Sequence, residues 1–104
     1  MSVTDTEIQA IADTIVRKFN PEKIVLFGSH AGGTAGPDSD VDILVVLPFE
    51  GPPYQTAARI RIALPLTVSF DIIARTPAQI EAKSGGPITT AALATGRILF
   101  QRAA

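Results

Sequence analysis

The segment Asp40-Val41-Asp42-Ile43-Leu44-Val45-Val46-Leu47 constrains this chain more than any other. From Val41 to Leu47 it is apolar on both faces, as expected for a strand covered on both sides. It opens on two carboxylates one residue apart. In extended backbone, side chains at i and i+2 share a face, so Asp40 and Asp42 project side by side. Like charges this close repel unless a cation sits between them, and Mg²⁺, a hard ion with oxygen ligands, suits the purpose. Two solvated acids at a frayed strand start are the plain alternative, although stability alone gives little reason for them there. Upstream, Gly28-Ser29 closes an earlier apolar run ending at Leu26-Phe27.

Helix and strand patterns alternate on either side of this segment. Thr4 and Glu7 have capping-box spacing, and Ile8, Ile11, Ile15, Val16 and Phe19 recur at helical spacing. They predict a helix over 5–19, ended by Asn20-Pro21. Lys23–Phe27 reads as a short strand. Gly28–Ser39 reads as a loop with room for one helical turn, and Asp38, behind Pro37, as a loop residue rather than a ligand. Pro48–Pro53 is a proline-rich loop. A second helix is expected over Tyr54–Leu64, stopped by Pro65, and a third strand over Thr67–Ala74. Thr76-Pro77 caps and opens a short helix to about Lys83. Ser84-Gly85-Gly86-Pro87 is a turn. A last helix starts at Ile88 or Thr89 and runs to Thr95, with Gly96 as its C-terminal cap. Arg97–Gln101 suits an edge strand. The whole, 1–104, reads as a single α/β or α+β domain with helices layered on a sheet.

At 104 residues the chain can bury a core without staples, and with no cysteine it has no disulfide or thiolate metal site. A net charge of −1 and the lack of a Lys/Arg stripe argue against an extended nucleic-acid surface. The start, Met1-Ser2-Val3-Thr4-Asp5, lacks the blocks of a signal peptide, and no apolar run approaches the ~20 residues that span a bilayer. A cytoplasmic protein with no membrane association is the expectation. Only 18% of residues are charged and mean hydropathy is +0.29, so some apolar surface should remain exposed. A protein interface and an alanine-rich helical surface both remain open as its explanation.

Leu26-Phe27-Gly28-Ser29, then Ser39-Asp40-Val41-Asp42, then Asp71 within Val68-Ser69-Phe70-Asp71-Ile72-Ile73 resemble the signature of the DNA polymerase β-like nucleotidyltransferases. The closest resemblance is to the minimal nucleotidyltransferases of prokaryotes, antitoxin-like partners of HEPN-type proteins. It extends from the leading helix to Gly96-Arg97-Ile98-Leu99-Phe100. Taken together the three parts are specific, where a lone Gly-Ser or a lone Asp-x-Asp is not.

That resemblance implies a polymerase β-like fold, a small mixed sheet flanked by helices. It implies Mg²⁺-dependent transfer of a nucleoside monophosphate, AMP from ATP or another nucleoside triphosphate, to a protein hydroxyl. Gly28 and Ser29 would bind the nucleotide. Asp40, Asp42 and Asp71 would be catalytic and would hold two Mg²⁺ ions, with Asp71 as general base. Ser69, Asp71 and Ile73 share one strand face, which must also be the face of Asp40 and Asp42. The family often has an arginine where this chain has His30, and a basic residue where it has Gly32. That removes fixed positive charge near a triphosphate and leaves His30 as either a ligand contact or a loop residue. The expected partner is a HEPN-type protein or a second copy. The alternative function is a weak or inactive binding module that neutralises its partner by occlusion; transfer to a small molecule ranks last. Arg59, Arg61 and Arg75 read as solvated, Tyr54 as closing its loop onto the core, and Phe27, Phe70 and Phe100 as core.

Overall fold

The computed structural model describes residues 3–33, 35–36 and 39–102, so Asp38 and its expected loop role lie outside the described residues. Helix α1, Asp5–Phe19, begins with the expected box: Glu7 N–H donates to the Thr4 hydroxyl (3.1 Å) and Thr4 N–H to the Glu7 carboxylate (3.4 Å). It buries Ile8, Ile11, Ala12 and Ile15, and Asn20 ends it in the left-handed conformation. Strand β1, Lys23–Phe27, runs into a single helical turn, α2 (Gly28–Gly32). Strand β2 is Val41–Val46, helix α3 Pro53–Ile62, and strand β3 Phe70–Arg75. Helices α4 (Pro77–Glu81) and α5 (Pro87–Thr95) precede strand β4, Arg97–Gln101.

The strands form one mixed sheet in the order β3-β2-β1-β4. β1 is antiparallel to both β2 and β4, while β2 and β3 run parallel. Alternation along the strands divides the core in two. Ile24, Leu26, Ile43 and Val45 pack with Ile8, Ile15 and Ile60 under α1 and α3. Val25, Leu44 and Val46 face the other way and meet Ala92 of α5. The second face is the thinner layer, and it is the face on which Asp42 stands, two residues before Leu44.

Two expectations are corrected. Strand β3 begins at Phe70, not Thr67, because the Arg61 side chain donates to the Pro65 and Val68 carbonyls and holds 65–68 as a turn. Tyr54 is 71% exposed rather than folded onto the core. As expected, Gly96 caps α5, with its N–H on the Ala92 carbonyl (2.8 Å) and its backbone extended. Its requirement is space: a Cβ there would overlap the Ala92 carbonyl and lie 2.8 Å from the Leu26 carbonyl oxygen. Gly96→Ala should therefore pry α5 from β1 and destabilise the fold by about 1–3 kcal/mol, read by urea denaturation.

Candidate active site

The site sits where β1 ends and β2 and β3 begin. Val41 pairs with Phe70 and Asp42 with Asp71, so the two acids are direct neighbours on adjacent strands and share a face. Phe27 pairs with Asp42 from the other side, giving a row Phe27–Asp42–Asp71 across the sheet. Asp40 stands one residue before β2. The sequence required Asp71 to share the face of Asp40 and Asp42; the register meets this for Asp42, while Asp40 lies outside the paired ladder.

Electrostatics join the three acids. Asp42, half-buried, has its carboxyl pushed above the usual aspartate range, first by burial, then by the charges of Asp71 and Asp40; His30 pulls it down. Asp40 and Asp71 are exposed. Among the described residues the one ion pair joins Arg97 to Asp5, so none of the three acids has an ion-pair partner. Negative charge is concentrated here without an internal partner, an arrangement that burial alone disfavours.

Gly28 explains how the backbone gets so close to these acids. Its φ is +72°, and a Cβ would overlap the Asp42 carboxylate, with Asp42 Cγ 3.0 Å away. Only glycine accepts both conditions. The turn α2 that starts there leaves the first N–H groups of the helix without intrahelical partners. His30 is half-buried, and one ring nitrogen lies 3.2 Å from the Ser39 carbonyl. A carbonyl only accepts, so this nitrogen carries the proton. The contact ties α2 to the residue before Asp40, which makes His30 a brace for the loop; neither a free loop position nor a ligand contact is needed to account for it.

As they stand, no three Asp, Glu, His or Cys side chains among the described residues converge closely enough to hold an ion by themselves. The donor chemistry nonetheless fits a hard divalent cation: carboxylate oxygens, unpaired, with one carboxyl raised by burial and by its acidic neighbours. Phosphate oxygens of a substrate or water would have to complete any coordination shell.

Sequence reading missed two arginines. Arg61, expected to be solvated, holds the turn before β3 and lies 5.0 Å over the Phe70 ring. Arg75 donates to the Gly85 carbonyl (3.0 Å) and the Ala74 carbonyl (2.7 Å). No local pattern marks either role, since both partners are backbone carbonyls. Arg61→Ala should cost about 1 kcal/mol and speed amide exchange in residues 65–71 more than in β1.

The family model of the nucleotidyltransferase domain matches residues 8–84. The chain belongs to the nucleotidyltransferase domain family. Solved structures share this nucleotidyltransferase fold. A candidate nucleotidyltransferase from Sulfolobus solfataricus aligns over 72% of this chain and 68% of its own, at 22% identity and a TM-score of 0.57. A toxin–antitoxin solved with AMP-PNP aligns over 90% and 73%, at 21% identity and a TM-score of 0.61. The toxin–antitoxin MntA-HpeT, in a mutant form, aligns over 96% and 75%, at 18% identity and a TM-score of 0.58. Identities this low bear on the fold alone. No curated protein matches the sequence significantly.

Proposed function

We propose that this nucleotidyltransferase-family domain moves AMP from ATP to a protein hydroxyl, with Mg²⁺, in the cytoplasm, as the antitoxin of a HEPN-type toxin. The observation that carries the chemistry is the Asp42–Asp71 pairing, with Asp40 beside it and Gly28 pressed against Asp42. Support for the role comes from the toxin–antitoxin neighbours, one of them solved with AMP-PNP.

In this reading Gly28 brings main chain to the triphosphate and Ser29 adds a hydroxyl and an N–H. Asp40, Asp42 and Asp71 would hold Mg²⁺, which when bound supplies positive charge to the phosphate oxygens. Asp71, exposed at the sheet edge, takes the proton of the acceptor hydroxyl. The acceptor oxygen bonds to the α-phosphorus, the bond from that phosphorus to the bridging oxygen breaks, and pyrophosphate leaves with the electron pair. Where the family often has an arginine, His30 spends its ring N–H on Ser39. That observation favours a second reading, a weak or inactive module that occludes its partner.

The test is to incubate the protein with a HEPN-type partner and ATP labelled at the α-phosphate. Label on a hydroxyl of the partner, lost with EDTA and with Asp71→Asn, supports transfer. A stable complex without label points to occlusion.

A further inference from the structure

Strand β3 is the outer strand on the acidic side of the sheet, and its free edge faces a groove. Val41 N–H donates to the Ser69 carbonyl (2.9 Å) and Leu47 N–H to the Arg75 carbonyl (3.0 Å). In a parallel ladder, alternate residues of a strand turn their main-chain groups to the same neighbour. Residues 69, 71, 73 and 75 therefore address β2. Phe70, Ile72 and Ala74 direct their N–H and C=O groups outward, where no described strand pairs with them; Ala74 is buried, which leaves Phe70 and Ile72 as the open positions. The run has a defined end, because the Ala74 carbonyl is taken by the Arg75 guanidinium. Beside it lies a groove of about 490 Å³, walled by Tyr54 and Ala57 on one side and by Ser84 and Gly86 on the other. Ile72, Ile73 and Ala74 all line it. Successive residues of a strand point to opposite faces, so a cavity that touches all three opens on the edge itself.

We propose that this edge seats the acceptor: an extended polypeptide segment of the partner adds to β3 as a fifth strand and presents its hydroxyl residue opposite Asp71. The row Phe27–Asp42–Asp71 has its next position on such a strand. Directly opposed residues have Cβ atoms about 4.5–5.5 Å apart on the same face, which brings a hydroxyl to the carboxylate and the reacting phosphate. The occupant is polypeptide because alternating donors and acceptors at strand spacing match only an extended backbone, which gives affinity while side-chain pockets give selectivity. Asp42 and Asp71, beside each other at the start of β2 and β3, repel nucleic-acid phosphates. The chemical half of this inference rests on the proposed transfer, in which the acceptor oxygen gains the α-phosphoryl group and loses its proton to Asp71 as pyrophosphate departs. The binding half does not.

The probe is a library of nine-residue peptides with a central serine, threonine or tyrosine and random flanks, incubated with the intact protein, Mg²⁺ and α-labelled ATP. Labelled peptides are resynthesised with N-methyl groups on the alternate amides that would face β3, or on the other set. The expected result is labelling that falls at least about tenfold with the first set and little with the second, since two or more main-chain hydrogen bonds are lost. Binding should shift the amide resonances of Phe70 and Ile72. Equal labelling with both sets, or shifts confined to other surfaces, overturns the proposal. So does a library that stays unlabelled while resonances of Gly28 and Ser29 show that MgATP binds. Concentration-dependent shifts at Phe70 and Ile72 without peptide would assign the edge to a second copy instead. Edge binding by a peptide without any response to MgATP would sink the transfer reading and leave the edge site standing.

Discussion

Asp42→Asn is expected to lower nucleotidyl transfer by about 10²–10⁴-fold, the range seen when a group that handles charge or protons at the reacting centre is removed. The same change should make the metal-free protein more stable at neutral pH. Asp42 is held above the ordinary aspartate range by burial and by the charges of Asp71 and Asp40. A carboxyl raised in the folded state keeps its proton to higher pH there than in the unfolded chain. Its favourable contribution is complete below the unfolded value and is lost as pH rises through the folded value. Asparagine never ionises, so the variant escapes that loss. The melting temperatures of the two proteins should lie close together in acid and diverge above the ordinary aspartate range, with the variant higher. Mg²⁺ should close the gap by stabilising only the native sequence. A variant that unfolds at every pH would instead make Asp42 a structural residue.

Gly28→Ala should remove nucleotide binding and destabilise the domain by more than the conformational penalty of about 1–2 kcal/mol for placing a side chain at positive φ. The excess comes from the overlap of the new methyl with the Asp42 carboxylate. Gly33 supplies the internal standard: its φ is +77° and a Cβ there meets nothing within 4 Å. Gly33→Ala should therefore carry the conformational penalty alone. Comparing the two by urea denaturation isolates the contact between Gly28 and Asp42. Equal losses would mean that the glycine serves the turn and not the site.

Much of this was legible in the residues. The double-faced apolar run of β2 places that strand inside the sheet, and the i, i+2 rule puts Asp40 and Asp42 together without any knowledge of the partner strands. Thr4 and Thr76 announce their helices because capping is a local contact. Asp71 was legible only through the resemblance to the polymerase β-like enzymes, since its meeting with Asp42 depends on which strands pair and in what register. The start of β3 was misjudged for the same kind of reason: Arg61 reaches forward to carbonyls four and seven residues on, a contact no periodicity records. Tyr54 misled because an aromatic between prolines and a helix reads as a plug, whereas here it stands exposed beside the groove. The exposed apolar surface combines helical alanines such as Ala10, Ala58, Ala91 and Ala94 with larger side chains. It includes Leu66 at 88% and Ile62 at 79% exposure, around the turn that Arg61 holds at the acidic end of the sheet.

The central claim is a live nucleotide site built on these acids. Calorimetric titration of ATP into the protein, with and without Mg²⁺, tests it, with Asp40→Asn/Asp42→Asn as the control. Binding that requires both the cation and the two carboxylates is the expected outcome. Binding that is indifferent to the double substitution, or no binding at millimolar MgATP, would contradict it.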